Sequence, residues 1–153
     1  MILVTLGTQK QQFPRLLDLI EKSNIKDKII VQAGHTKYKS KKMEIIDFMS
    51  YNEMNKLIDE ADLIITHGGT GSIISPLTKG KKVLACARLK KYEEHVDDHQ
   101  EEIVNMFADK NYILKIDEDT DLDKLFKQSK KFKQKKYQSN KNNFIKKLKK
   151  IID

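Results

Sequence analysis

Apolar and polar positions alternate in blocks along the chain. "ILVT" (2–5) is a continuous apolar run closed by Gly7, and "FPRLLDLIEK" (13–22) then repeats apolar residues at helical spacing. Pro14 is tolerable in the first turn of that helix. "KIIVQAG" (28–34) predicts a second strand and "EIIDFM" (44–49) a third. "YNEMNKLIDEA" (51–61) is an amphipathic helix with Ser50 as its cap. "DLIITHGG" (62–69) predicts a buried strand, followed by a helix to about Lys79 that Gly80 ends. "KVLACA" (82–87), a helix over "QEEIVNMFADK" (100–110) and "YILKI" (112–116) complete the alternation before lysine-rich helices finish the chain.

Strands alternating with helices at this spacing predict a doubly wound α/β fold, a Rossmann-like parallel sheet covered on both faces. Strands this uniformly apolar fit burial on both sides. No repeat or Pro/Gly/Ser linker interrupts the pattern. Residues 1–118 therefore read as the α/β domain, and 119–153 as C-terminal helices that pack on it or dock a partner. In such sheets ligands bind beyond the carboxyl ends of the strands. Gly7-Thr8-Gln9, Gln32 to His35, His67 to Ser72 and the segment after Ala87 all stand at strand ends and should converge.

Composition narrows the classes. The chain has 153 residues, 39% hydrophobic and 34% charged, which suits one globular domain with a charged surface. From Lys124 onward the only acid is Asp153, so the formal +8 net charge is concentrated there. Such a segment is either a solvated helix surface or a seeker of an anionic partner. Aromatics in it are sparse and no stacking motif appears, which argues against nucleic acid. The single Cys86 excludes an internal disulfide framework, fits a reducing cytoplasm and lies in an apolar run as a core residue. "MILVTLG" reads as a core strand, not a leader, and no apolar run approaches the ~20 residues that cross a bilayer.

The turn "HGGTGS" (67–72) carries the chemistry. Gly68, Gly69 and Gly71 would let a ligand approach the backbone. The N–H groups of Thr70, Gly71, Ser72 and Ile73 would point from a helix N-terminus that favours an anion. Thr70 and Ser72 add hydroxyls, so a diphosphate fits without a metal. No G-x-x-x-x-G-K-[ST] is present, and "GTQKQQ" lacks the glycines of a dinucleotide fingerprint. His67 would donate to a phosphate or sugar hydroxyl, or else serve as a buried structural histidine. His95 and His99, at i and i+4, flank Asp97 and Asp98 but lack the Glu of H-E-x-x-H and a third ligand, so no metal site is expected. His99 and Gln100 read as hydrogen-bonding groups for a sugar. Gly7 and Gly34 shape backbone turns, and Gln9 and Gln32 suit hydroxyls or a uracil edge.

"VTLGTQKQQFPRLL", "VQAGHTKY", "ADLIITHGGTGSI" and "KGKKVLACARLKKYEEHVDDHQEEI", in this order and at this length, resemble small bacterial exopolysaccharide and capsule glycosyltransferase subunits. These are similar to the catalytic subunit of the eukaryotic two-part UDP-GlcNAc transferase of dolichol-linked oligosaccharide synthesis. Both correspond to the C-terminal, donor-binding half of a GT-B enzyme of glycosyltransferase family 28. The resemblance covers roughly residues 1–116. It implies a UDP-sugar donor (galactose, glucose or GlcNAc, in falling order), with Gly69 to Ser72 at the diphosphate, His99-Gln100 near the sugar, and Thr8 and Gln9 facing the cleft. It implies an inverting, metal-independent transfer, without cofactor, to a polyprenyl-diphosphate-linked glycan. A membrane-anchored partner subunit would supply the other GT-B half and hold this chain at the inner face of the plasma membrane. Self-association of the isolated chain is compatible with such a missing half.

Two positions depart from the pattern. Ser75 stands where related enzymes carry a ribose-binding glutamate, and Gln9 where many carry a histidine. A glutamine is no general base, so the base would be His67, His95, His99 or a partner residue. The same departures fit an alternative of another class: a non-catalytic nucleotide-sugar-binding accessory subunit that activates a partner.

Overall fold

The computed structural model describes residues 1–138 and 142–152. Its elements are β1 (Ile2–Thr5), α1 (Pro14–Lys22), β2 (Ile29–Gln32), β3 (Glu44–Ile46), α2 (Tyr51–Glu60), β4 (Leu63–His67), α3 (Thr70–Thr78), β5 (Val83–Cys86), α4 (His99–Asp109), β6 (Leu114–Ile116), α5 (Leu122–Lys131) and α6 (Asn142–Ile152). All strand pairs are parallel, in the order β3-β2-β1-β4-β5-β6. β1 lies between β2 and β4, so the winding reverses there and a crevice opens beyond the ends of β1 and β4.

The apolar strands feed two cores. Ile2, Val4, Leu63, Ile65, Leu84 and Cys86 face α1 and α5 on one side. Leu3, Ile64, Val83 and Ala85 face α2, α3, α4 and α6 on the other. Alternate residues thus enter opposite cores, although the sequence shows no polar alternation. Within the sheet Thr5 and Thr66 are paired in register and their hydroxyls stand 2.7 Å apart.

Third and last strands are shorter than expected. β3 stops at Ile46 because Asp47 turns its carbonyl to Gly34 N–H (2.7 Å) and Phe48 is exposed. Ser50 Oγ then accepts from Glu53 N–H and caps α2. Before β6, Tyr112 and Ile113 are buried outside the ladder, because Asn111 at φ 61° closes α4 and Tyr112 N–H returns to Phe107 O.

Residues 119–138 and 142–152 are not set apart from the sheet. Leu122 and Leu125 complete the first core, and Tyr137, Phe144 and Leu148 join the second. Phe107, Tyr112, Tyr137 and Phe144 stack edge to face, the closest centroids 4.9 Å apart. The apolar stripe of α6 is thus turned inward at Phe144 and Leu148, while Ile152 is exposed. Residues 139–141 and 153 of the lysine-rich segment lie outside the described residues.

Candidate functional site

The loops after β1 and β4 meet at the reversal point, with His67 between them. Gly7, at φ 80°, follows β1, and a Cβ there would stand 2.6 Å from His67 Nε2. A Cβ on Gly69 would stand 2.3 Å from His67 Cε1. The imidazole is therefore clamped between two backbone surfaces that only glycine leaves open. A Cβ on Gly68 would meet Gln100 Cβ at 2.8 Å and Val104 Cγ2 at 3.0 Å. Packing within the protein alone thus requires glycine at positions 68 and 69. Of the three, Gly71 alone opens on free space, with nothing within 4 Å of its Cβ position.

Hydrogen bonds fix the tautomer of His67. Gln100 Oε1 accepts from Gly68 N–H (3.0 Å) and Arg88 N–H (3.1 Å), so its amide nitrogen must be the end facing His67 Nδ1 at 3.2 Å. Gly69 N–H also donates to Nδ1, at 3.1 Å. Nδ1 is thus the acceptor, and Nε2 carries the proton toward Ser72 Oγ at 3.1 Å. Burial holds the ring neutral, its pKa lowered to about 4, and the nearby Arg88 charge acts in the same direction. A ring with Nδ1 doubly engaged and Nε2 protonated is not placed to take a proton. With Nε2–H donating to Ser72 Oγ, the Ser72 hydroxyl keeps its own proton free to donate elsewhere.

The helix behind this turn begins without a side-chain cap. Ile73 N–H donates to Gly69 O at 3.1 Å, so it belongs to the helix ladder and not to the set of outward donors. Thr70, Gly71 and Ser72 N–H remain at the first turn, with the Ser72 hydroxyl beside them. These donors stand at the uncapped, positive end of α3, the kind of helix start that favours an anion.

Three other expected contacts are spent inside the protein. Gln32 brackets Gly7, its Oε1 accepting from Gly7 N–H (3.2 Å) and its Nε2 donating to Gly7 O (3.0 Å). Gly34, at φ 59°, allows Gly7 O to approach where a Cβ would stand 2.2 Å away. Gln100 is buried, and both ends of its amide are engaged within the protein. His99 is half exposed at the start of α4, 3.8 Å from an Asp97 oxygen and 3.6 Å from a Glu102 oxygen.

Gln9 and His95 do come together. Gln9 Nε2 stands 3.0 Å from His95 Nε2, and His95 Nδ1 stands 3.2 Å from Asp97 Oδ1. His95 Nδ1 also accepts from the backbone N–H of Asp97 at 3.3 Å, so both ring nitrogens are engaged within the protein. Gln9 Oε1 is left buried without a partner, while Thr8 is exposed at the loop tip.

Sequence reasoning missed the supports of this site. Arg88 is fully buried and donates to Leu6 O (2.6 Å), Gln11 O (2.8 Å) and Glu94 O (3.0 Å), tying the β1 loop to the segment after β5. Burial lowers its pKa to about 10, against the attraction of Glu94. Arg15 grips buried Glu94 through Nε and Nη2 at 3.0 and 2.9 Å and also reaches Ala87 O. Burial opposes its charge, but the bonds to Glu94 raise its pKa. The only sequence signal was a pair of arginines in a chain whose other bases are lysines. Cys86 is buried, and burial pushes its thiol up to about 11, consistent with a core residue. A cleft of about 570 Å³ lies beside α1, but Asp18, Glu94, Asp117, Glu118 and Asp119 give it an acidic wall unsuited to a diphosphate. Among the described residues no group of three His, Cys, Asp or Glu could hold a metal ion, and no helix is long and apolar enough to cross a membrane.

Comparison with known proteins places this geometry in context. The glycosyltransferase family 28 C-terminal domain matches residues 1–153. The UDP-N-acetylglucosamine transferase subunit ALG13 of Candida albicans is 36% identical over 77 residues, covering 50% of this chain and 25% of that protein. Its Saccharomyces cerevisiae counterpart is 33% identical over 73 residues, covering 47% and 34%. The chain thus spans a quarter to a third of the length of these relatives. Among solved structures, that of ALG13 superposes with a TM-score of 0.61 at 20% identity, covering 96% of this chain and 94% of that one. Acinetobacter baumannii MurG superposes at 0.54 and 20% identity, covering 82% and 40%. These superpositions show a shared GT-B-type Rossmann-like fold. The sequence relatives are yeast proteins, so the expected exopolysaccharide or capsule setting gains no support from them.

Proposed function

The chain belongs to the glycosyltransferase family 28 C-terminal domain family, and from that premise we propose that it is the donor-binding part of a two-part UDP-sugar glycosyltransferase. The observation that carries the reading is the uncapped start of α3 at the sheet's reversal point, with Thr70, Gly71 and Ser72 N–H beside a Ser72 hydroxyl whose proton His67 leaves free. The names of the yeast relatives move UDP-GlcNAc ahead of UDP-galactose and UDP-glucose as donor.

In this mechanism the diphosphate rests on the α3 cradle. An acceptor hydroxyl of a polyprenyl-diphosphate-linked glycan attacks the anomeric carbon, the bond to UDP breaks, and the linkage inverts. Negative charge grows on the departing phosphate oxygen, where the three N–H groups, the helix dipole and the Ser72 hydroxyl stabilise it. His67 acts through Ser72 as a positioning residue. Ser75 offers the ribose one hydroxyl where a glutamate would accept from two. The acceptor proton passes to a base other than Gln9, which cannot take it, and other than His67, whose Nδ1 is engaged by Gly69 N–H and Gln100: His95, His99 or a residue of the partner half.

A second reading, an accessory subunit that binds the nucleotide sugar without catalysing transfer, is favoured by Gln9 and Ser75 alone. Calorimetric titration of the chain with UDP, UDP-GlcNAc, UDP-galactose and UDP-glucose tests what both readings share. Transfer assays with the partner and a lipid-diphosphate acceptor separate them. Binding of UDP-GlcNAc with transfer that collapses in a Ser72→Ala variant supports the catalytic reading. Binding with transfer untouched by that variant supports the accessory one, and no UDP binding sinks both.

A further inference from the structure

The charge of this protein is divided between two regions. Residues 124–153 hold twelve lysines against one acid, Asp153, while residues 1–123 hold eighteen basic and twenty-one acidic side chains. The net charge is therefore +11 in the C-terminal segment and −3 in the rest, counted from the same sequence. A general lysine preference would have loaded both regions. The excess belongs to one stretch.

That stretch is pinned to the body and displays its lysines outward. Lys82 Nζ donates to Ser129 O and Lys130 O, Gln134 Nε2 to Lys81 O, and Lys135 N–H to Asn111 O. Tyr137, Phe144 and Leu148 are buried. All eleven described lysines between 124 and 150 are exposed, and among the described residues none of them forms an ion pair. On α6, Lys146 and Lys150 project opposite the inward Phe144 and Leu148, and exposed Ile152 stands on the same helix.

We propose that the outward face of α6, carrying Lys146, Lys147, Lys149 and Lys150, docks the chain directly on an anionic lipid bilayer. Two features favour a bilayer over nucleic acid. The segment contains no arginine, so it lacks the planar fork that grips an individual phosphate, and its lysines act as point charges suited to a diffuse anionic plane. Its aromatics are turned away from solvent: Tyr137 and Phe144 are buried, Phe126 and Phe132 half-buried, so none offers a stacking platform for bases. An anionic membrane face attracts such a basic surface within about a Debye length, and exposed Ile152 adds an apolar contact at the interface.

Cosedimentation of the whole chain with phosphatidylcholine vesicles, with and without phosphatidylglycerol, tests the docking. The chain should sediment only with the anionic vesicles, and added salt should release it. The fourfold variant Lys146→Gln, Lys147→Gln, Lys149→Gln, Lys150→Gln should partition at least about tenfold more weakly. A second variant, Lys146→Gln, Lys150→Gln alone, should weaken it in the same direction, which keeps the test valid if the fourfold variant does not fold. Equal binding to neutral vesicles, unchanged binding by both variants, or displacement of the chain from vesicles by a single-stranded RNA would overturn the proposal. Docking does not depend on nucleotide binding, so UDP titration of the same variants keeps it separate from the function proposed above.

Discussion

Gln100 Nε2 donates to His67 Nδ1 across 3.2 Å, while the Gln100 carbonyl accepts from the backbone N–H of both Gly68 and Arg88. One amide thus joins the glycine turn, the end of β5 and the ring that aims Ser72. Gln100→Leu leaves two buried N–H groups unpaired, each costing about 1–3 kcal/mol. Urea denaturation should show a loss of about 3 kcal/mol, and UDP affinity should fall with it. A loss below about 1 kcal/mol would mean that the network carries little.

His67 adds a pH dependence to stability. Its folded pKa of about 4 lies below the ordinary 6.5, so the folded state binds fewer protons than the unfolded one between these values. Its contribution is complete above pH 6.5 and is lost as pH falls toward 4, about 3 kcal/mol in all. His67→Gln should flatten that part of the stability-against-pH curve. An unchanged slope in the variant would contradict a buried neutral ring.

Two glycines separate packing from binding. Gly69→Ala places a methyl against His67 Cε1 and should destabilise by about 2 kcal/mol. Gly71→Ala meets nothing and lies in the first turn of α3, so it should leave stability equal or raise it by up to about 1 kcal/mol. The same methyl would crowd a diphosphate on the helix end and weaken UDP binding by about tenfold. Thermal melts and calorimetry read the two effects apart.

Glu94 is 3% exposed and holds Arg15 bidentately together with Leu89 N–H. Glu94→Ala strands a half-buried guanidinium, and breaking such a pair costs about 3 kcal/mol. Hydrogen exchange should accelerate over residues 88–98, where the loop also loses its hold on His95 and thereby on Gln9. Unaltered exchange there would show that Arg88 alone fixes the loop.

The alternation of apolar blocks, Ser50 as a cap and Gly80 as a stop were readable in the sequence because each acts through local backbone chemistry. So was convergence at strand ends, which parallel winding imposes. The roles of Gln32 and Gln100 were not readable. A glutamine that satisfies a distant backbone looks the same in sequence as one that reads a ligand, and only the fold brings Gly7 or Arg88 to its amide. Ile73 was misplaced by one residue of helix start, which decides whether an N–H faces out or closes the ladder. The yeast relatives, not the motifs, shifted the expected donor toward UDP-GlcNAc.

The proposed seat of a UDP-sugar's diphosphate is the start of α3. Amide chemical shifts of the isotope-labelled chain, followed during titration with UDP, test it residue by residue. Saturable shifts should be largest at Thr70, Gly71 and Ser72, with smaller ones at Gly7 and Thr8. Absence of binding, or shifts confined to the acidic cleft around Arg15 and Asp117, would contradict it.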